Sequence, residues 1–276
     1  MKPTFSIILF LFFARTTAQY RFFYTYTYVP DIEKRDSLAQ DLMILDADLI
    51  NKKSIFFSAS VFKRDSLMEI FTKEENPEKM ILPKYNPNLM YSVSKNLDKN
   101  DIIYHITYSN IKFKITEKER PVWEISNEKK EILNYSCQKA TTNYKGRNWT
   151  AWFINDIPFQ DGPYKFAGLP GLIAEIYDSN EEHKFSLNQI EKNKQIKLPD
   201  SYKDEKEITI KQLDNLMDEK YNDINNDIRE MRITNNSYNF ILNDGNILQV
   251  DKSTKNIEKE LSKQMLRLKN PLELEK

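Results

Sequence analysis

The sequence predicts a mainly β, α+β protein: a large curved antiparallel sheet or half barrel with a short crossing helix and C-terminal helices. Two observations favour this class. Short runs of aromatic and β-branched residues with a period of two recur along residues 19–190. Brief polar turns separate the runs, as between Leu97 and Asp101, and such turns suit hairpins better than the helices of βαβ units.

The strands are predicted from this alternation. The first spans Tyr20 to Val29, where every second residue from Tyr20 is aromatic and lies on one face. Ten further strands are predicted at 38–49, 55–60, 89–94, 101–107, 112–117, 122–126, 132–143, 148–154, 172–177 and 184–190. Their close spacing predicts antiparallel pairing of neighbours in the chain.

Helical periodicity occurs at two places inside the β-rich region. Residues 62–71 place apolar side chains on one stripe, which predicts a short helix across the sheet. A second amphipathic stretch follows Thr209, which forms a capping box with Gln212. Between residues 238 and 250, two apolar runs flank Asn-Asp-Gly-Asn and predict a hairpin.

The two ends of the chain differ from the middle. An apolar run after Lys2 is followed by small residues up to Ala18, which predicts a secretory signal peptide over 1–18. The run is shorter than the roughly 20 residues of a membrane-spanning helix, so no transmembrane segment is expected in the mature chain. We predict one β-rich domain over 19–250 and a charged amphipathic C-terminal helix or tail over 251–276.

Composition argues against several classes of function. The 276 residues contain 41 basic and 41 acidic side chains, so no overall field favours nucleic acid, and no nucleic-acid partner is predicted. Five Gly, two His and one Cys leave little material for a phosphate loop or a metal site, and we predict neither a metal nor a cofactor. Cys137 is interpreted as a buried apolar residue.

No catalytic residue is predicted. The Ser-x-x-Lys pairs fall mostly in predicted strands, where positions i and i+3 face opposite sides. His105 is interpreted as a strand-packing residue and His183 as part of a solvated turn. Asp46 and Asp48 share a strand face, but nothing places a substrate between them, so they are interpreted as solvated charges.

Residues 137–176 contain four of the five Gly and two of the three Trp. Gly168, Pro170 and Gly171 predict a structural turn that returns the chain to the sheet. Two interpretations of the segment stay open. In one, the segment plugs one end of the sheet, and in the other it also forms a binding rim. The predicted rim consists of Arg147, Trp149, Trp152, Asp156, Tyr164, Lys165 and Phe166.

The stretch Phe-Ala-Gly-Leu-Pro-Gly-Leu-Ile at 166–173 resembles the signature of the bacterial GLPGLI family. The preceding segment from Lys139 to Phe153, the Tyr-rich first strand and the terminal Asn-Pro-Leu-Glu at 270–273 are similar to that family too. The resemblance implies an exported protein in the periplasm or cell envelope of a double-membrane bacterium. It implies no established activity.

From these observations the sequence predicts an envelope binding, carrier or assembly-accessory protein rather than an enzyme. Its partner would be an envelope protein, a peptide or a lipid-like ligand. The alternative is an envelope hydrolase that uses carboxylates the sequence does not identify. Titratable groups converging on a cleft would favour the hydrolase, and an apolar cavity would favour the carrier.

Overall fold

The computed structural model describes residues 19–63, 91–108, 111–192, 204–216, 238–241, 247–250 and 271–274. Strands dominate these ranges. They are β1 (Gln19–Tyr28), β2 (Ala39–Asp48), β3 (Lys53–Ser58), β4 (Tyr91–Asn96), β5 (Asp101–Tyr108), β6 (Ile111–Glu117), β7 (Glu124–Ile132), β8 (Tyr135–Tyr144), β9 (Arg147–Ile154), β10 (Leu172–Asp178), β11 (His183–Lys192), β12 (Lys206–Glu207), β13 (Tyr238–Ile241) and β14 (Ile247–Val250).

Twelve strands of the described residues form one sheet in the order β12-β6-β5-β4-β3-β2-β1-β11-β10-β9-β8-β7. All its pairings are antiparallel except that of β12 with β6. The aromatic strand β1 lies in the middle, between β2 and β11. The chain therefore runs outward from β1 to β6, continues at the opposite edge with β7, and returns to the centre at β11. The predicted mainly β fold with a large open sheet is confirmed.

Two tight hairpins set the register at the β7 edge. Leu133 and Asn134 connect β7 to β8 with φ values of 50° and 63°, and Lys145 and Gly146 connect β8 to β9 with 53° and 78°. Two central residues with positive φ are typical of the hairpin turns that match strand twist. The sequence wrongly predicted a break within residues 127–131. In the structure that stretch continues β7. The prediction failed because an edge strand that is exposed on both faces shows no alternation of apolar residues.

The main core lies on one face of the sheet. Phe22, Tyr24 and Tyr26 alternate along β1 and are at most 3% exposed. The hydroxyls of the two tyrosines have partners inside the protein. The Tyr24 hydroxyl donates to the Ile173 carbonyl at 2.8 Å, and the Tyr26 hydroxyl lies 2.7 Å from Nδ1 of His183. The aromatic face predicted for the first strand is therefore the centre of the core.

Residues 155–171, here called the β9–β10 loop, cross this inner face. The ammonium of Lys95 on β4 donates to the carbonyls of Gly162 at 2.6 Å and Tyr164 at 2.9 Å. In a flat sheet, β4 and β10 would be five strand spacings apart, or about 24 Å. Asp161, next to Gly162, is held beside β10 because the Ile173 amide donates to its carbonyl at 2.9 Å, and a lysine side chain cannot span five strand spacings. The sheet must therefore curve around the loop, as a half barrel does.

The two edges of the curved sheet, near β6 and near β7, face each other across a gap that we call the opening. Contacts across it hold the curved sheet together. Tyr144 donates to the carbonyl of Glu119, which follows β6, at 3.3 Å. Arg147 donates to the carbonyl of Pro271 at 2.8 Å, and the amide of Leu274 donates to Lys145 at 2.9 Å. Residues 271–274 are not helical and lie against the sheet, whereas most of the predicted 251–276 helix or tail is outside the described residues.

The predicted helices are covered only in part. Residues 59–63 are helical, but the rest of the crossing helix predicted at 62–71 lies outside the described residues. The capping box is confirmed: the amide of Gln212 donates to Oγ1 of Thr209 at 3.2 Å, and the amide of Thr209 donates to Gln212 at 2.8 Å. Residues 210–216 form the helix that follows. The 238–250 hairpin pairs as predicted, and its turn is outside the described residues.

The predicted signal peptide at 1–18 also lies outside the described residues. Among the residues that are described, no helix combines the length and apolar character needed to cross a membrane.

The two glycines of the predicted turn are required for different reasons. Gly168 has φ of +97°, and a Cβ there would meet nothing closer than 3.9 Å. At Gly171 there is no room for a side chain, because a Cβ would lie 1.9 Å from the carbonyl oxygen of Ile154. The turn therefore combines a left-handed residue with a close approach of two backbone segments.

Replacing Gly171 with Ala is expected to lower the free energy of unfolding by about 3 kcal/mol or more, because backbone atoms must move. Gly168→Ala should cost only about 1–2 kcal/mol, since it adds backbone strain without a clash. Pro170→Ala, at an exposed position, is the matched control. Urea unfolding measures all three, and an equal loss for both glycines would contradict this account.

Cys137 is fully buried, as predicted, and its side chain is a free thiol. Burial raises its pKa to about 11. We expect a thiol reagent such as dithiobisnitrobenzoate to leave Cys137 unmodified in the folded protein at pH 8, because the reactive thiolate is scarce and shielded. Modification should become complete in denaturant, and rapid reaction of the folded protein would contradict the assigned burial.

Candidate functional site

A buried ion pair anchors the β9–β10 loop. Nζ of Lys95 lies 2.5 Å from Oδ1 of Asp161, and both side chains are fully inaccessible to solvent. The Asp161 carboxylate also accepts from the Gly162 amide at 2.8 Å. Burial lowers the pKa of Lys95, and the nearby Asp161 charge opposes that shift. The pair therefore neutralises two charges inside the curved sheet.

A second group of charged residues lies where β6, the β8–β9 hairpin and residues 271–274 meet. We call it the mouth cluster. Its members are Glu117, Glu119, Arg120, Lys145, Lys165 and Glu273. Lys165 binds Glu117 at 2.5 Å and Glu273 at 2.6 Å. Lys145 binds Glu119 at 2.7 Å and lies 3.4 Å from Glu117. The cluster therefore joins both sides of the opening.

Tyr164 and Lys165 bring the loop into this cluster. Tyr164 adopts φ of 53°, and its hydroxyl donates to Glu273 at 2.6 Å. Burial, reinforced by the Glu273 charge, raises the pKa of Tyr164 well above its usual value. The Lys165 ammonium lies 5.1 Å from the centre of the Tyr104 ring, a distance suited to a cation–π contact.

Several buried polar atoms at the cluster have no hydrogen-bond partner among the described residues. They are Nε and Nη2 of Arg120 and, in the neighbouring Lys95–Asp161 pair, Oδ2 of Asp161. Oε2 of Glu117 makes no hydrogen bond but lies 3.4 Å from Nζ of Lys145. Burial lowers the pKa of Arg120, and the Asp161 charge opposes that shift. An unsatisfied buried polar group costs about 1–3 kcal/mol. The open donors of Arg120 are suited to a ligand that accepts hydrogen bonds.

The structure buries most of the residues predicted to form a binding rim. Arg147, Trp149, Trp152, Tyr164, Lys165 and Phe166 are each at most 8% exposed, so they do not form an exposed surface. Asp156 alone of the seven is exposed. Trp149 and Phe166 pack edge to face at 4.7 Å between ring centres. The segment therefore packs inside the sheet, and its role as a binding rim stays a prediction.

The predicted residues are divided between two ionic groups. Tyr164 and Lys165 belong to the mouth cluster, whereas Arg147 binds Asp178 at 3.0 Å and Glu182 at 2.7 Å. Further charged residues were not predicted from the sequence, among them Lys95, Glu117, Arg120, Lys145, Asp161 and Glu273. One signal could have revealed Lys95, since it shares the alternating face of β4 with the buried Tyr91 and Val93. A charge on an inward strand face requires a buried partner.

Two interpretations of polar residues need correction. His183 is not in a solvated turn: it begins β11, is 1% exposed and binds Tyr26. Asp46 is not a solvated charge, because Arg21 binds both its oxygens at 2.7 Å and the residue is buried. Asp48 does face solvent and accepts from the amides of Ile50 and Asn51 in the following turn. His105 packs in a strand as predicted.

The described residues include no group of three or more His, Cys, Asp or Glu side chains placed to hold a metal ion.

Lys95→Met should lower the free energy of unfolding by roughly 3–5 kcal/mol, because it leaves Asp161 charged and unpaired in the interior. Lys52→Met is the matched control, since Lys52 pairs with Asp98 at 2.8 Å on the surface with both side chains more than half exposed. Its loss should stay below about 1 kcal/mol. Similar losses in thermal or urea unfolding would contradict a special role for Lys95.

Comparisons with known proteins locate the chain in a family. The family described as N-glycanase peptide, N-terminal domain matches residues 58–223. Two structures of PNGF-II, in the C2 and P21 space groups, superpose with TM-scores of 0.51 at 15% identity. The alignments cover 71% and 72% of this chain but 32% of PNGF-II. This chain thus spans about a third of the length of those neighbours, and the likeness shows a shared fold. No curated protein matches in sequence.

These findings correct two predictions. The identification with the GLPGLI family is wrong, because a different family matches most of the segment on which that resemblance rested. The predicted carrier without catalytic machinery is contradicted as well, since the matching family is named for an N-glycanase. Because the match from residue 58 to residue 223 covers more than half of its length, the chain belongs to the family of the N-glycanase peptide, N-terminal domain.

Proposed function

We propose that this chain takes part in the hydrolysis of N-linked glycans, as the N-terminal domain of an N-glycanase-type protein. The match of residues 58–223 to that family is the observation that carries the proposal. The shared fold with PNGF-II supports it. The chain spans only 32% of PNGF-II. The assignment of bond cleavage to this chain is therefore proposed and does not come from the comparison.

We propose further that the sugar contacts the mouth cluster. Glycan hydroxyls both donate and accept hydrogen bonds. The donors of Arg120 that lack partners among the described residues suit the hydroxyl oxygens of such a ligand. Five of the six members, all but Glu273, lie within the family match. In this proposal the sugar contacts charged groups at the opening of the sheet, and the buried aromatic residues Trp149, Trp152 and Phe166 only support the structure.

The protein would meet this substrate outside the cytoplasm. The predicted signal peptide at 1–18 supports export, and proteins that carry the Asn-x-Ser/Thr acceptor are typically secreted or surface proteins. We therefore propose that the chain is exported to the periplasm or beyond.

The proposal is tested by incubating the full chain with a denatured protein that carries N-linked glycans and detecting released glycans by mass spectrometry. We expect release above that of a heat-inactivated sample. Arg120→Gln should lower the rate at least about tenfold, because it removes donors aimed at the sugar. Arg35→Gln is the matched control, since Arg35 is a mostly exposed arginine whose partner, Glu182, is not a member of the mouth cluster.

Binding of an N-glycosylated peptide, followed by calorimetry, provides a second measurement. Absence of both release and binding would contradict the proposed function. Equal effects of Arg120→Gln and Arg35→Gln would contradict the assignment to the mouth cluster while leaving the glycan function intact.

A further inference from the structure

The outer face of the sheet carries a polar group that is separate from the mouth cluster. It consists of Ser94 on β4, His105 on β5 and Glu205 just before β12. Side chains alternate along β4, so Ser94 faces away from the buried Lys95 and from the β9–β10 loop. The mouth cluster and this group therefore lie on opposite faces of one sheet.

The three side chains form a continuous chain of hydrogen bonds. Oγ of Ser94 lies 2.7 Å from Nε2 of His105. Nδ1 of His105 lies 2.9 Å and 3.0 Å from the two oxygens of Glu205. An ionised carboxylate only accepts, so Nδ1 carries the proton and Nε2 presents its lone pair to the serine hydroxyl. This is the tautomer that a general base next to a nucleophile requires.

Strand register explains why residues so far apart in sequence meet. Ser92 pairs directly with His105, which makes Ser94 the diagonal neighbour of His105 on the same face. Glu205 is carried to the sheet by β12, whose Lys206 pairs with Phe113 on β6. The His105 and Glu205 side chains are 8% and 6% exposed, whereas Ser94 is only half-buried. Solvent molecules can therefore approach the group at Ser94.

The neighbours of Ser94 indicate the kind of molecule that would fit. Ile55 on β3 and Ile103 on β5 pair directly with Ser94 and share its face. Ile55 is 1% exposed and supports the site from within, whereas Ile103 is partly exposed and gives the hydroxyl an apolar neighbour that suits a short alkyl chain. Lys114 pairs directly with His105 and places a positive charge on the same side. A nearby cation is suited to the negative charge that develops during acyl transfer.

We propose that Ser94, His105 and Glu205 form a serine-nucleophile site for short-chain acyl esters, an activity beyond N-glycan hydrolysis. Ser94 Oγ forms a bond to the carbonyl carbon while its proton passes to Nε2 of His105. The ester C–O bond then breaks, and the alcohol leaves with that proton. Water hydrolyses the acyl-serine by the same route and releases the acid. Glu205 is the positioning residue that holds and stabilises the His105 imidazolium.

The test uses a fluorophosphonate probe on the full chain at neutral pH. Attack by Ser94 forms a P–O bond, fluoride leaves, and peptide mass spectrometry should locate the label on Ser94. Ser94→Ala should abolish that labelling and the hydrolysis of p-nitrophenyl acetate above the buffer rate. His105→Gln should slow both on the order of a hundredfold, the usual contribution of a general base. Ser92→Ala, on the same strand face, is the matched control and should keep the wild-type rates.

Glu205 is separated from a merely structural role by two variants. Glu205→Gln removes the charge and should slow labelling roughly tenfold or more, whereas Glu205→Asp keeps the charge and should retain most of the rate. Each variant is compared by thermal melting. Absence of label on wild-type Ser94 at saturating probe overturns the proposal, whether or not the variants fold. Labelling that is equally fast in a folded His105→Gln variant overturns it too.

Discussion

The Lys95–Asp161 ion pair is the interaction on which the rest of the described structure depends. Two charges placed inside a sheet lined by aromatic rings cost several kcal/mol each unless they neutralise one another. The remaining donors of Lys95 bind carbonyls of the β9–β10 loop, so one ammonium satisfies both a carboxylate and loop backbone. The loop must then lie inside the sheet, and the sheet must curve to enclose it. Core packing, the opening and the mouth cluster all follow from that geometry.

One sheet thus presents two different chemical environments. The inner face holds an aromatic core and ends in the charged groups of the mouth cluster. The outer face carries the short Ser94–His105–Glu205 chain beside isoleucines. Both environments depend on the alternation of side chains along β4. Lys95 lies on the inner face and Ser94 on the outer face, although they are adjacent in sequence. A single strand can therefore support two sites without sharing a side chain between them.

Much of the fold was predictable because the signals are local. Alternation of buried and partly exposed residues along β1 depends only on neighbours in the chain, and so does the Thr209–Gln212 capping box. Gly168 was predictable for the same reason, since a positive φ is a property of one residue. The length of β7 was not, because an edge strand in solvent lacks the apolar period from which strands are recognised. The burial of His183 was missed because its partner, Tyr26, is 157 residues away.

The sequence by itself determined most of the strands, the antiparallel pairing of most chain neighbours and the need for a fixed turn around Gly168, but not the strand order of the sheet. These depend on periodicity and on backbone conformations that are set within a few residues. Tertiary structure alone decided which charges meet, because pairing across a curved sheet depends on register and curvature. Lys165 was predicted to belong to a binding rim, and only the structure brings it to Glu117 and Glu273. Glu205 likewise reaches His105 only because β12 adds to the edge of β6.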